Sequence, residues 1–499
     1  MNRQYPSQSP PASTLAGRWR LVLAGALVAA LVLAALFLWP GWIGSTGSTD
    51  SQQSGDSAPT TAVSAPLASP TDTDHDDAVE LTDATRAQLD TELDGSSAQL
   101  AGAVVIDPNT GDLLYERAPG QLLIPASNQK ILTELAVFHF LDPEQRLATT
   151  VVQGGSEDTV VLVGGGDTLL SPGDGDPDAV EGRAGIADLA RQTAESMDLA
   201  PVPEQLTLEV DGSLFSGSGL NPGWAPADIA RGEVGPVSPM AFDSHRVVNA
   251  ENTAGGGYEV NASVTVAEVF ASALSRELTQ KSGQPVTVSV GAMVDTPADP
   301  LKAADVQSGV TELARVESAT VQEQSAVMMK NSDNRLAETL CRVAAVSGGH
   351  SGDPDGARTA MQQALQDALG YNPVERHGVV LSDCAGLSAG NRVTPEVLGE
   401  VLTVGAQEPE GPYGSMLETF PTSGRDGTLA DRFQAPGAAE GQDHIRAKTG
   451  TLNGVTVLSG DVNTDSGEHL IAVVMLNETA DQQVARDSAD RFFTALAQA

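Results

Sequence analysis

The chain has 499 residues, enough for more than one domain at roughly 100–200 residues each. Its 27 Lys and Arg stand against 66 Asp and Glu, a formal net charge of −39 that argues against a nucleic-acid partner. A hydrophobic content of 40% excludes wholesale disorder, and 2 cysteines exclude a disulfide-rich scaffold and a four-cysteine zinc site.

Residues 21–39 are apolar without a break, and as a helix they would span roughly 28 Å, about one bilayer core. Arg3, Arg18 and Arg20 precede them with no acid, which keeps residues 1–20 in the cytoplasm and sends the rest outside. The run ends in Phe37-Leu38-Trp39-Pro40-Gly41-Trp42, an interfacial aromatic pattern rather than an A-x-A cleavage site. An uncleaved transmembrane anchor is therefore expected, with a cleaved signal and secretion as the rival. Residues 43–85 are rich in Ser, Thr, Pro, Gly, Ala and Asp and read as a disordered linker. The cluster Asp72, Asp74, His75, Asp76 and Asp77 reads as a solvated charge run.

Beyond the linker a helix is predicted over 83–93, then strands over 101–107 and 112–117 joined by Pro108-Asn109-Thr110-Gly111. An apolar helix follows from about Ala126 to Phe140. Residues 151–305 change character: short strands (159–163, 205–211, 286–290) alternate with turns and with helices near 185–196 and 266–281. From about Val316 helices return, including 321–330 and 335–347. The chain finishes in strands near 445–451, 454–462 and 469–476 and a helix over 481–497. This order predicts one α+β domain from 86–150 and 306–499, split by an inserted smaller β-rich domain at 151–305.

Three short clusters carry chemistry. Ser127 and Lys130 head the apolar helix at i and i+3, on one face. There a serine meets the positive end of the helix, and a neutral lysine can take its proton. Ser332-Asp333-Asn334 lies between two predicted helices, where an N-cap turn is the bland reading. Lys448-Thr449-Gly450-Thr451 lies on a strand, where glycine would let a substrate approach the backbone. Together they form the S-x-x-K, S-D-N, K-T-G set of serine acyltransferases that react with penicillin.

The surroundings narrow this. Four stretches stand out: Leu162-Val163-Gly164-Gly165-Gly166-Asp167, Asp383-Cys384-Ala385-Gly386-Leu387-Ser388 with Asn391-Arg392, Gly424-Arg425-Asp426-Gly427-Thr428-Leu429 and Arg446-Ala447-Lys448-Thr449-Gly450-Thr451-Leu452. With these, residues 85–499 resemble the D-alanyl-D-alanine carboxypeptidase/endopeptidases of the class C low-molecular-mass penicillin-binding proteins. Cys384-Ala385 departs from the Gly-Ser usual there. The resemblance implies a penicillin-binding transpeptidase/β-lactamase-like domain, an antiparallel sheet plus a helical subdomain. It implies a serine-type carboxypeptidase acting on peptidoglycan stem peptides ending in D-Ala-D-Ala, with β-lactams as inhibitors and no metal or cofactor. Endopeptidase action by the same acylation is the alternative. By resemblance Ser127 is the nucleophile, Lys130 its base and Ser332 a proton relay. Asn334 would hold a substrate amide, and Lys448, Thr449, Gly450 and Thr451 its carboxylate end. The backbone N–H groups of Ser127 and Thr451 would form the oxyanion hole. Lys448 is expected to lower the Lys130 pKa by its charge.

Other readings are weaker. Gly386-Leu387-Ser388-Ala389-Gly390 is a literal G-x-S-x-G, but Asn391-Arg392-Val393 intervenes before the next helix start at Thr394-Pro395. No E-x-x-x-N stands for the deacylating glutamate of class A β-lactamases. A non-catalytic cell-wall-binding scaffold would not need all three motifs intact. Cys341 and Cys384 could pair in an oxidising compartment or stay buried thiols. Arg425 and Asp426 either shape the site or make a structural turn.

Overall fold

In the computed structural model the described residues are 79–197, 202–245, 261–294, 311–407 and 410–499, all within one compact unit, His75–Ala499. The expected tail and anchor at 1–39, and most of the linker, lie outside them. Among the described residues no helix is long and apolar enough to cross a membrane. The described residues begin inside the range read as linker. Leu81 is buried, and Thr82 caps helix α1 (Asp83–Gly95) by accepting the Thr85 N–H at 3.1 Å.

The first sheet joins both ends of the unit. Strands β1 (Ala98–Ile106) and β2 (Leu113–Arg117) come from the N-terminal side. Its order is β2-β1-β10-β9-β8, antiparallel throughout, with β8 (Ile445–Leu452), β9 (Val455–Asn463) and β10 (His469–Thr479) from the C-terminal side. Strand alternation splits its side chains cleanly. Ala103, Val105, Ala472 and Val474 pack with Leu89 and Leu93 of α1 and with Phe492 and Phe493 of α11 (Gln482–Ala497). Val104, Ile106, Ile471 and Val473 face the opposite core, shared with helices that include α2 (Gln129–Phe140), α7 (Asn334–Ser347), α8 (Pro354–Leu369) and α10 (Pro395–Gln407). A sheet buried on both faces explains strands that are apolar almost throughout.

The second sheet runs β6-β5-β4-β3-β7. Its strands are β3 (Arg146–Gln153), β4 (Thr159–Val163), β5 (Gln205–Asp211), β6 (Thr287–Val294) and β7 (Glu312–Thr320). β3 pairs antiparallel with β4 and β7, whereas β4-β5-β6 are parallel. Parallel neighbours need crossovers. Those leaving β4 and β5 carry α3 (Ile186–Ser196) and α5 (Ala262–Ser282), whose Leu189, Phe270 and Leu274 pack with Val160, Leu162 and Leu208. A short helix, α4 (Pro226–Arg231), lies between β5 and α5. The segment singled out as β-rich is thus a mixed α/β layer. Its sheet reaches beyond 151–305 on both sides, to Arg146 and Thr320, so a strand replaces the helical start read near Val316. Helices α6 (Val321–Asn331) and α9 (Pro373–His377) complete the set.

Candidate active site

The three motifs meet where α2, the α6–α7 turn and β8 converge. Residues Ala126–Asn128 form a 3-10 turn before α2, so the α-helix starts three residues later than the sequence pattern suggests and Ser127 lies just ahead of it. Ala126 holds φ at +47°, a backbone strain placed one residue before the nucleophile candidate. Lys130 is fully buried. Its Nζ donates to Ser127 Oγ at 3.3 Å, to Asn334 Oδ1 at 2.8 Å and to the Ala385 carbonyl at 2.6 Å.

The middle motif is a forced turn. A capping box starts α6: the Thr320 hydroxyl accepts the Glu323 N–H at 3.1 Å, and Glu323 accepts the Thr320 N–H at 2.8 Å. The helix ends on Ser332 in the left-handed region, φ +55°. Asp333 then caps α7 by accepting from the Arg335 and Leu336 N–H groups. The bland cap reading is correct for Asp333, and this cap makes Asn334 the first residue of α7. Asn334 Nδ2 donates to the Glu233 carbonyl at 2.9 Å. Ser332 makes no side-chain hydrogen bond among the described residues.

The third motif lies on β8, at the edge of its sheet. Lys448 is fully buried and donates to the Thr449 carbonyl at 3.0 Å. Thr449 Oγ1 donates to Thr428 Oγ1 at 2.8 Å. Thr451 pairs with Thr456 and is exposed. Gly450 also has a use not read in the sequence. A Cβ there would sit 2.7 Å from Asn128 Nδ2 and 2.9 Å from the Pro125 carbonyl oxygen. The missing side chain lets β8 close on the Ser127 turn.

Burial pushes the Lys130 ammonium down to about 8, while Asp383, Asp333 and Glu338 oppose it. Burial rather than the Lys448 charge is the leading cause, which corrects the expectation. Lys448 is itself held well below its ordinary value, by burial first and by Lys130 second, with Glu134 opposing.

Several groups around the centre went unread. Asp383 binds the loop after α9 into shape: it accepts from the N–H groups of Gly386, Leu387 and Ser388, from Asn391 Nδ2 and from Trp224 Nε1, at 2.7–3.0 Å. Glu338, one turn beyond Asn334, accepts from Cys384 N–H at 2.8 Å and Ala385 N–H at 3.1 Å. Burial pushes its carboxyl up to about 7. Gly386 is required: φ is +80°, and a Cβ would collide with the Ala126 carbonyl. Cys341 of α7 and Cys384 of the loop are joined in a disulfide. Ser388 of the G-x-S-x-G match is buried, accepts the Gly390 N–H and starts no helix, so it serves this loop. Asp426 pairs with Lys330 at 2.7 Å, and Arg425 with Asp443, so both belong to a turn beside the site. Acids one turn after Lys130 and Asn334 were the available sequence signal. The Ala385 carbonyl left none.

A family described as D-Ala-D-Ala carboxypeptidase 3 (S13) matches residues 85–299 and 262–498. A carboxypeptidase of Mycobacterium tuberculosis is 31% identical over 394 residues, 77% of each chain. A D-alanyl-D-alanine carboxypeptidase of an Actinomadura species is 28% identical over 438 residues, 75% of this chain and 77% of its own. Among solved structures, penicillin-binding protein 4 of Haemophilus influenzae superposes with a TM-score of 0.59 at 20% identity, covering 82% of this chain and 98% of that one. A second structure of that protein holds a β-lactam.

Proposed function

The chain belongs to the D-Ala-D-Ala carboxypeptidase 3 (S13) family, and from that premise we propose that it releases the terminal D-Ala of peptidoglycan stem peptides through an acyl-enzyme on Ser127. One observation carries the assignment of roles: the buried Lys130 Nζ lies 3.3 Å from Ser127 Oγ. Lys130, when neutral, takes the Ser127 proton as Oγ attacks the carbonyl of the penultimate D-Ala. The backbone N–H groups of Ser127 and Thr451 receive the developing oxyanion, and losing one such donor costs about 3 kcal/mol in the barrier. Ser332 passes a proton to the leaving D-Ala amine. Asn334 keeps one amide hydrogen for the substrate while the other binds Glu233. Lys448, Thr449 and Thr451 receive the terminal carboxylate. Water then cleaves the ester on Ser127. A β-lactam follows the same acylation, and its opened ring leaves slowly.

The names of the relatives support the carboxypeptidase reading over endopeptidase action. The intact Ser127–Lys130–Asn334 contacts argue against a non-catalytic scaffold. D-Ala release from a D-Ala-D-Ala pentapeptide tests the proposal. Wild type should release it, Ser127→Ala should lose release and penicillin labelling together, and equal release by both would refute it. We also propose that residues 21–39 anchor the chain in the cytoplasmic membrane with the catalytic unit outside. Their length, the preceding arginines and the Cys341–Cys384 disulfide support this.

A further inference from the structure

Lys130 Nζ has three hydrogen-bond partners, but as a neutral base it has two hydrogens to give. An ammonium has three donors; the amine has two and one lone pair, and that lone pair must face Ser127 Oγ. Two acceptors decide where the hydrogens go: Asn334 Oδ1 at 2.8 Å and the Ala385 carbonyl at 2.6 Å. With both occupied, the direction left on Nζ is the one toward Ser127 Oγ, at 3.3 Å. The aim of the base thus depends on a backbone carbonyl in a loop. Cys384 and Ala385 are buried, and two helices grip them. From α2, Thr133 Oγ1 donates to the Cys384 carbonyl at 2.7 Å, and Lys130 donates to the Ala385 carbonyl. From α7, Glu338 Oε1 accepts the Cys384 N–H at 2.8 Å and the Ala385 N–H at 3.1 Å. All four backbone polar groups of the two residues are taken, two by each helix.

We propose that Glu338 is a positioning residue for acylation: by binding the Cys384 and Ala385 N–H groups it sets the Ala385 carbonyl against α7, so that this carbonyl and Asn334 take both hydrogens of neutral Lys130 and leave its lone pair aimed at Ser127. This rests on the reading of Ser127 as nucleophile and Lys130 as its base. Asn334, Glu338 and Cys341 stand at i, i+4 and i+7 on α7, on one face. Asn334 bonds Lys130, Glu338 bonds the two N–H groups, and Cys341 is joined to Cys384. Both acceptors of the amine are therefore carried by one helix. The other holders of the loop cannot do this alone. Asp383 accepts the Gly386 N–H at 2.9 Å, but it belongs to the loop and moves with it. The disulfide tethers the Cys384 side chain and leaves the following peptide free to rotate. Glu338 is the group that ties the backbone itself to α7. Its contribution is an oxygen acceptor at the right place.

Acylation of full-length protein by a fluorescent penicillin over a range of concentrations tests this, because it separates the limiting acylation rate from the affinity of the complex that precedes it. Glu338→Met fills the same space without an acceptor. It should lower the limiting rate about 10- to 100-fold at unchanged affinity. Glu338→Gln returns an oxygen to the same place and should restore most of that loss. Glu338→Asp keeps the charge but draws the oxygen back by one carbon–carbon bond. It should be slower than the glutamine variant, and this order decides the matter if the methionine variant does not fold. A folded methionine variant acylated at the wild-type limiting rate would overturn the proposal, as would an aspartate variant faster than the glutamine one. Absence of a penicillin adduct on Ser127 in wild type would instead overturn the carboxypeptidase reading.

Discussion

Lys130 turns position into reactivity. Its ammonium gains three acceptors, Ser127 Oγ, Asn334 Oδ1 and the Ala385 carbonyl, but gives up water entirely. Desolvation wins, and the amine titrates near 8 instead of its ordinary 10.5. The sign follows for activity. As the proposed base Lys130 acts in its neutral form, so acylation of Ser127 should grow about tenfold per pH unit below 8 and level off above it. A rate that stays flat between pH 6 and 8 in stopped-flow acylation would contradict this. Lys130→Ala should lose roughly 10²–10⁴ of the rate, the usual worth of a general base. The motif residues were legible because each is a side chain at a short, fixed spacing. The partners that tune them were not. The Ala385 carbonyl is a backbone atom that any residue could supply. Glu134 and Glu338 look in sequence like ordinary acids on amphipathic helices, and only packing shows them to be dry.

At the scale of elements, the loop 383–391 explains why Lys130 points where it does. Asp383 holds the loop from within, Glu338 of α7 holds two of its N–H groups, and Gly386 lets it pass over Ala126. The Cys341–Cys384 disulfide ties the same loop to the same helix, 43 residues apart in sequence. Closing a loop of that size is worth about 3–4 kcal/mol in chain entropy. The Cys341→Ser/Cys384→Ser double variant should therefore unfold at a lower urea midpoint, and reductant should lower the wild-type midpoint but not the variant's. Equal midpoints for wild type and variant under oxidising conditions would show the bond to be energetically idle. The elements themselves were read unevenly. The strands and helices of the first sheet were legible because apolar runs fix its inner strands β1 and β10 and the helices packed on them. β3 and β7 were not, because Arg146, Thr149 and Thr150 dilute one, and Ala314, Val316 and Ser318 give β7 an inner face of small side chains.

For the whole molecule the charge of −39 falls unevenly, since the first 42 residues carry three arginines and no acid. The proposed anchor predicts that full-length protein stays with membranes after a carbonate wash. A chain starting at Val79, which retains every described core residue, should be released and should still bind penicillin. Recovery of the full-length protein in the wash would remove the anchor from the account. The order of the first sheet carries a consequence for synthesis. β1 is made early yet sits between β2 and β10, and β8, β9 and β10 come only after Ile445. Ser127 and Lys130 therefore leave the ribosome more than 300 residues before Lys448, and β1 waits as long for its central neighbour. Such non-local pairing folds slowly. A chain cut short before Ile445 would carry the proposed nucleophile Ser127 and base Lys130, but neither β8, β9 and β10 nor Lys448. Synthesis of β8, β9 and β10 thus times activity: the hydrolase becomes competent only once those strands have been made.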